Sequence, residues 1–392
     1  RRFTLSGYPM NARGFLSTRP VFVVGIGLHR YQRRSDETYV SLGLTAVREA
    51  LVDAGVDWTD IDAAYTGTAL LGMGASRIML SRLGATGIPM TQVENASASG
   101  SSSVAQACLE VASGRSDVVV ALGVDKPRGG LGAAPGEAGI ANLEAGSIVP
   151  FTHFALLASE YMHLHAVTDE QVAKVAVKNH RNGSQNPFAQ RQKIRTLDEV
   201  LAEPISGSLT RLQCCPVGEG AAAVIIASED GINRLGVDRS RAMQVVASAT
   251  KTEGLYAEGV GIDAALTAET GAAAFHEAGL GPSDLDVLEV HDAFAIEELL
   301  YAEALGLCKP GEAASRIESG DFDIGGSCAF SPSGGLLAMG HPIGPTGVGQ
   351  VVEVVRQLRN EAGSRQQPNA RVGMAHMVGI GAVCVVHILR KP

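Results

Sequence analysis

Four residues of the chain have side chains suited to nucleophilic and acid–base chemistry. Ser97 lies in a loop of small residues, 95–103, between an apparent strand and a helix. His291 in EVHDAF, His341 in GHPIG and His376 in AHMVGIG follow apolar segments or lie in glycine loops. Backbone N–H groups and the positive end of a helix face a hydroxyl placed as Ser97 is, and a neutral imidazole is a suitable base for it. If the loops converge, His341 or His376 can serve as that base.

Each of these residues also has a structural interpretation. Ser97 can be a helix cap or a small packing residue, and a histidine in a glycine loop is often part of a structural turn. Three histidines in equivalent settings near the C-terminus favour a functional cluster over three separate structural roles. The spacing around Ser97 does not match the GxSxG motif, which argues against a hydrolase.

The elements that must position these residues follow from the apolar pattern. The glycine- and proline-rich stretch 331–349 predicts a tight loop around His341, and it leads into a helix at 348–360. An amphipathic helix is predicted at 40–55. Short apolar runs predict buried strands at 20–28, 61–68, 117–123, 220–227 and 242–248. Strands that alternate with helices predict mainly parallel sheets covered on both faces.

An internal repeat divides the chain. The pattern AG followed by DID at 54–62 recurs as AG followed by DLD at 278–286, at a constant offset of 224 residues. Each copy follows a helix and precedes a strand, which predicts two duplicated halves, 1–240 and 241–392. Between about 125 and 211 glycine, proline and histidine recur and the helices become short and polar, which predicts an inserted loop subdomain. Functional loops are then expected to meet at the seam between the halves.

Composition excludes several classes of function. A net charge of −9 over 392 residues argues against nucleic acid as a partner. Six scattered cysteines without a CxxC pair predict neither a disulfide framework nor a metal site, and they favour a reducing, cytoplasmic compartment. Since no apolar run approaches eighteen residues, no membrane span is predicted. The 45% apolar content suits a packed α/β enzyme.

Four ordered stretches resemble the thiolase superfamily, specifically its sterol-carrier-protein and archaeal-type thiolases. These stretches are VENASASGSS, EVHDAFAIEELLYAEALGLC, SPSGGLLAMGHPIGPTG and AHMVGIGAV, and the similarity runs over nearly the whole chain. The resemblance implies an α/β fold of five layers, αβαβα, with two duplicated halves and a loop subdomain over the coenzyme A site. It also implies a homodimer or a dimer of dimers, with coenzyme A or acyl-CoA as substrate and no covalently bound cofactor.

The resemblance assigns roles to the four residues. Ser97 stands where the family has the cysteine that takes the acyl group, and His341 is the general base. His291 and His376 form the oxyanion pocket for the thioester carbonyl. Some relatives carry a second cysteine where this chain has Ala293. A serine at position 97 is a poor thioester acceptor beside cysteine, and it is either native to the chain or a substitution that blocks turnover.

Three functions follow as alternatives. The first is an acyl-CoA C-acyltransferase that cleaves a 3-oxoacyl-CoA or runs the reverse condensation. The second is a retro-aldolase on CoA-linked side chains, acting with a small OB-fold partner protein, as some relatives without the cysteine do. The third is a non-catalytic acyl-CoA or lipid carrier. The intact GHP loop around His341 favours the first.

Overall fold

The fold was analysed in a computed structural model that describes residue 16 and residues 19–127, 150–256, 261–380 and 383–392. The predicted loop subdomain at about 125–211 therefore lies partly outside the described residues. Over the described ranges, no helix is long and apolar enough to cross a membrane.

The described residues form strands and helices in alternation. The strands are β1 (Val21–Gln32), β2 (Ala63–Gly67), β3 (Met90–Val93), β4 (Val118–Asp125), β5 (Pro204–Ser206), β6 (Leu209–Thr210), β7 (Glu219–Ser228), β8 (Met243–Thr252), β9 (Val287–Glu289), β10 (Ala329–Phe330), β11 (Val372–Gly379) and β12 (Val383–Arg390). The helices are α1 (Tyr39–Ala54), α2 (Ala75–Leu80), α3 (Ser99–Ala112), α4 (Pro150–His165), α5 (Asp169–Ser184), α6 (Leu197–Leu201), α7 (Glu229–Leu235), α8 (Ile262–Ala278), α9 (Ala295–Ala304), α10 (Ala313–Ser319), α11 (Gly335–Ala338) and α12 (Thr346–Arg359).

The main sheet consists of two halves with the same strand order. The order is β10-β9-β11-β12-β8-β1-β7-β4-β2-β3, so each half places its third, second, fourth, fifth and first strand side by side. The halves are joined by three antiparallel residue pairs between β1 and β8. Only the pairs among β2, β3 and β4 and among β9, β10 and β11 are parallel. The prediction of mainly parallel sheets was wrong, because the last strand of each half runs antiparallel to both of its neighbours within that half.

Matching contacts in the two halves support the duplication. Helix α1 ends at Gly55 (φ 70°) and helix α8 ends at Gly279 (φ 66°), left-handed conformations that glycine adopts without strain. Asp62 accepts the backbone N–H groups that begin β4, and Asp286 accepts those that begin β11. The same carboxylate therefore fixes the same strand in both halves.

The layers place two helices at the centre. Helix α1 covers the outer face of the first half of the sheet and α8 that of the second, while α3 and α12 pack together between them. The two central helices approach closely because both contribute glycine. A Cβ on Gly100 would collide with Gly344 O and lie 3.2 Å from Val348 N, and one on Gly347 would meet the backbone of Ser101. This is the predicted five-layered αβαβα arrangement.

Helices α4 to α6 and the small β5–β6 sheet form the described part of the inserted subdomain. Helix α5 packs on α9, α10 and α11, which flank the histidine loops of the second half. The capping box of Thr168 with Gln171 and the acidic first turn start α5 where the sequence predicts a helix, and it continues to Ser184.

Candidate active site

Ser97 lies in a strained turn immediately before α3. Ala96 has φ 49°, a left-handed conformation that costs free energy for a residue with a Cβ. Several hydrogen bonds hold the turn: Ser99 Oγ donates to Ala96 O (2.6 Å) and accepts from Asn95 N (2.9 Å), and Ala96 N donates to Glu94 Oε1 (2.6 Å). The turn thus presents the Ser97 hydroxyl, with the residue 6% exposed, at the N-terminal end of α3.

Ser97 pairs with His341 across the seam between the halves. Ser97 Oγ lies 3.0 Å from His341 Nε2, and His341 Nδ1 lies 2.9 Å from Thr346 Oγ1. If Nδ1–H donates to the threonine hydroxyl, the Nε2 lone pair faces Ser97. Burial, and then the neighbouring His291, lower the pKa of His341 to about 3, so its ring is neutral near pH 7. This is the geometry of a hydroxyl nucleophile and its general base.

A buried carboxylate fastens the His341 loop to the first half. Asp125, at the end of β4, accepts the Gly344 N–H (2.7 Å) and the N–H groups of Ala69 and Leu70 (3.0 and 2.9 Å), and it also accepts from Thr68 Oγ1 (2.5 Å). Burial raises the pKa of Asp125 to about 6, and these four donors oppose the rise. The base and the nucleophile are therefore held by the same edge of the sheet.

His291 follows β9 and lies beside His341. The two rings meet edge to face, with centroids 5.7 Å apart. Its Nδ1 lies 3.1 Å from Glu297 Oε1, which also accepts from the Tyr301 hydroxyl (2.9 Å), while Glu297 Oε2 accepts the Phe294 N–H (2.8 Å). The other ring nitrogen, Nε2, is buried and has no hydrogen-bond partner among the residues that the structure describes.

His376 lies on β11, next to the backbone of His291. Its Nε2 is 2.9 Å from Thr267 Oγ1, and its Nδ1 is 3.4 Å from the backbone N of His291, so both ring nitrogens face protein groups. Burial, and then His291, lower the pKa of His376 to about 3, which keeps the ring neutral. Ser97, His341 and His291 thus lie next to one another, while His376 contacts only the backbone of His291 among the four. Its predicted oxyanion role stays a prediction.

The polar partners of the histidines were not identified from the sequence. Glu297 lies six residues after His291, and Thr346 lies five residues after His341. The available signal for Glu297 was its position three residues after Phe294, the N-cap of α9, where a carboxylate returns to the cap N–H. For Thr346 and Asp125 the sequence offered no comparable signal, because their contacts depend on how loops from separate elements pack.

Aromatic side chains of the inserted subdomain pack on Phe294, three residues after His291. Phe154 stacks on Phe294 with ring centroids 4.3 Å apart, and Phe151 meets Phe294 edge to face at 6.0 Å. Cys215 N donates to Ala293 O (2.8 Å), so the chain before β7 borders the same region. The arrangement gives the site an apolar wall next to its histidines.

Three basic residues of this region, which could contact the phosphates of a CoA ester, all have acidic partners. Lys178 is buried and lies 2.9 Å from Glu298, and Arg181 lies 2.6 Å from Asp323. Arg211 forms a two-point contact with Glu203. The expectation of solvated surface charge fits Arg181 and Arg211 but is wrong for Lys178, which is a buried, paired charge.

All six cysteines are free thiols. Burial raises the pKa of Cys108 and of Cys384 to about 12, and that of Cys328 higher still. A neutral, buried thiol is a weak nucleophile, so these residues do not replace Ser97.

The chain matches two family descriptions that together cover most of its length. Residues 25–230 match "Thiolase, N-terminal domain", and residues 256–391 match "Thiolase C-terminal domain-like". The chain therefore belongs to the thiolase family, as the four sequence stretches predicted.

Curated relatives and solved structures extend over nearly the whole chain. It is 37% identical to an acetyl-CoA acetyltransferase of Methanothermobacter thermautotrophicus, covering 95% of this chain and all of that protein. It is 36% identical to sterol carrier protein 2 of Rattus norvegicus, covering 94% of this chain and 72% of that protein. The solved "Ltp2-ChsH2(DUF35) aldolase" superposes with a TM-score of 0.82 at 25% identity, covering 95% of this chain and 98% of that one. The family includes thiolases and acyltransferases, and the chain is an enzyme of this acyltransferase type.

Proposed function

We propose that the chain catalyses C-acyl transfer with acyl-CoA esters, as 3-oxoacyl-CoA thiolysis or the reverse condensation. The observation that carries the proposal is the 3.0 Å contact between Ser97 Oγ and the neutral His341 Nε2 at the seam. A nucleophile beside a base that is itself held by Thr346 is suited to accepting and releasing an acyl group. The similarity to an acetyl-CoA acetyltransferase supports the choice of CoA esters as substrates.

Each residue of the candidate site is assigned one step of the proposed reaction. His341 takes the Ser97 hydroxyl proton as Oγ attacks the C3 carbonyl of the 3-oxoacyl-CoA, and it returns the proton when the acyl group leaves for the CoA thiol. The oxyanion roles that the resemblance implies for His291 and His376 stay predictions, and both ring nitrogens of His376 already face protein groups. The wall of Phe151, Phe154 and Phe294 would exclude water from the acyl group.

The test is thiolysis of acetoacetyl-CoA by CoA, measured for the parent protein, Ser97→Cys and Ser97→Ala. Cysteine supplies a thiolate at a site that already holds a base, so we expect Ser97→Cys to exceed the parent kcat by at least a hundredfold and Ser97→Ala to be inactive. If neither the parent nor Ser97→Cys turns over while acetyl-CoA still binds, the transferase proposal is wrong.

One observation favours the retro-aldolase as the second candidate. The solved aldolase complex is similar over 95% of this chain, and a serine in place of the acyl-accepting cysteine suits C–C cleavage without an acyl-enzyme. Incubating the protein with a 3-hydroxyacyl-CoA distinguishes the retro-aldolase from the acyltransferase, because only an aldolase releases a free ketone or aldehyde. If the protein binds acyl-CoA tightly but yields neither the thiolysis product nor the aldolase product, the non-catalytic acyl-CoA or lipid carrier is the remaining function.

Partners and location complete the proposal. The name of the aldolase complex includes a second protein, ChsH2(DUF35), and this supports a small partner protein for this chain, predicted as an OB fold. The half-exposed edge strand β3 supports a homodimer, because an unpaired strand edge is a template for a second copy. Sedimentation of the protein alone and with a candidate partner tests both. The six free thiols suit the reducing environment of the predicted cytoplasmic location.

A further inference from the structure

The surroundings of His291 select one arrangement of its ring hydrogens. Glu297 is 1% exposed, and its carboxylate oxygens receive the Tyr301 hydroxyl and the Phe294 N–H. A carboxylate that accepts from these donors has no hydrogen of its own to give, so the 3.1 Å contact to His291 Nδ1 requires a hydrogen on Nδ1. In the neutral ring the second nitrogen, Nε2, then carries a lone pair. A neutral His291 with its hydrogen on Nε2 is disfavoured.

That nitrogen belongs to a ring next to the Ser97–His341 pair. The His291 ring lies edge to face on His341, whose own Nε2 contacts Ser97. Nε2 of His291 is buried and free of hydrogen bonds within the described part of the chain. A lone pair at this point can take a proton from substrate, and the Glu297 carboxylate stabilises the imidazolium that results.

We propose that Glu297 and Tyr301 position His291 as the acid–base group that moves a proton to and from C2 of the CoA thioester. The inference rests on the proposed function and deepens it. A neutral His291 therefore cannot donate from Nε2 to the carbonyl oxygen, since Nε2 carries a hydrogen only when the ring is protonated. His291 is the catalytic residue, and Glu297 and Tyr301 are positioning residues.

The proton balance closes over the thiolysis cycle. When Ser97 Oγ attacks C3, the C2–C3 bond breaks and its electron pair passes to C2 and the thioester oxygen as an enolate. The His291 imidazolium gives its Nε2 proton to C2, which yields acetyl-CoA. The incoming CoA thiol then gives its proton to His291 Nε2, the thiolate takes the acyl group from Ser97, and His341 returns the serine proton. In the condensation direction His291 removes the C2 proton.

The step is measurable without turnover. In D₂O, the parent protein should exchange the methyl hydrogens of acetyl-CoA for deuterium. Mass spectrometry measures this exchange. We expect Glu297→Gln to slow this exchange at least tenfold and Tyr301→Phe about threefold, with the Kd for acetyl-CoA within twofold of the parent. The matched control is Glu303→Gln, which removes a comparable contact on the same helix, Glu303 Oε1 with the Tyr161 hydroxyl (2.5 Å), and should leave exchange unchanged.

A second measurement needs no variant. The ¹⁵N shifts of His291 in the unliganded protein should show Nδ1 protonated and, in the neutral ring, Nε2 unprotonated. The reverse tautomer would overturn the inference even if thiolysis is observed. So would exchange within twofold of the parent rate in Glu297→Gln, or a parent that binds acetyl-CoA without exchanging its hydrogens. A parent that does not bind acetyl-CoA overturns the proposed function as well, and the two failures are thereby distinguished.

Discussion

The Thr346 hydroxyl determines which nitrogen of His341 faces Ser97. Without it, the buried His341 ring loses its only fixed partner on the Nδ1 side among the described residues, and the tautomer with a free Nε2 is no longer selected. In a Ser97→Cys background, Thr346→Val should lower kcat/KM for thiolysis by ten- to a hundredfold. Thr346→Ser, which keeps the hydroxyl, is the control and should stay within about threefold. Equal activities of the valine and serine variants would mean that Thr346 has no part in orienting the base.

A buried histidine outside the site makes stability depend on pH. Burial, and then Arg191 and Arg195, lower the pKa of His180 to about 3, below its unfolded value near 6.5. Below pH 6.5 the unfolded chain therefore binds a proton at His180 that the folded chain does not bind. The stability of the folded state relative to the unfolded state is undiminished above pH 6.5, and it falls as the pH drops toward 3. Relative to the parent, His180→Leu should gain about 2 kcal/mol in the free energy of unfolding between pH 7 and pH 5.

Urea unfolding at the two pH values measures this gain. The same substitution at the exposed His163 is the control and should show no pH-dependent difference from the parent. A His180→Leu variant whose difference from the parent is equal at both pH values would show that the folded protein accepts the proton at His180.

The sequence singled out Ser97 and His341 as candidate site residues but not the groups that orient them. Ser97 and His341 could be predicted because glycine and small residues mark the loops that carry them, and the structure places them 3.0 Å apart. Glu297 reads in sequence as a helix residue among other acidic residues. The capping position explains why its carboxylate turns back toward the N-terminus of α9, but the contact of Glu297 with the His291 ring also depends on how the loop between β9 and α9 folds.

Helices α3 and α12 set the distance between Ser97 and His341. Their contact depends on Gly100, where a methyl group would overlap Gly344 O in the His341 loop. We expect Gly100→Ala to destabilise the fold by about 1–3 kcal/mol despite the better helix propensity of alanine, and to reduce activity further by moving the loop. Thermal unfolding and thiolysis of the variant in the Ser97→Cys background measure both effects.

The control is Gly261→Ala, at the N-terminal end of α8. That position has negative φ, and a Cβ there would meet no atom of the described residues within 4 Å, so the substitution should change neither stability nor rate. A Gly100→Ala variant as stable and active as this control would show that α3 and α12 can separate without cost.

Element positions were predicted better than element directions. Strands β1, β2, β4, β7 and β8 overlap their predicted ranges within a few residues, because apolar runs bounded by turns carry a strong local signal. The direction of pairing depends instead on how the chain returns after each helix. The antiparallel pairs of β7 and β12 therefore could not be deduced from the alternation of strands and helices.

Duplication of the whole molecule predicts matched energetics. Asp62 and Asp286 each accept two backbone N–H groups at the start of a strand. The backbone N–H of each aspartate also donates to the carbonyl of the first residue of that strand, Val118 in β4 and Val372 in β11. Asp62→Ala and Asp286→Ala should each cost about 1–3 kcal/mol, because the donors lose their acceptor. Since β1 and β8 join the halves, both variants should shift one common unfolding transition, measured by calorimetry.

Asparagine at either position keeps an acceptor oxygen and should cost less than half as much. Two separate transitions, each moved by only one of the alanine variants, would instead indicate halves that unfold independently.

The division of the site between the halves has a consequence for synthesis. A ribosome that has released the first 240 residues has produced Ser97 and the whole first half of the sheet, but none of the histidines that surround the serine. At that stage the Ser97 hydroxyl therefore has no base beside it. Its partner His341 arrives about a hundred residues later, and the support from His376 arrives later still. The nascent chain is thus chemically silent toward cellular thioesters until nearly all of it has been translated.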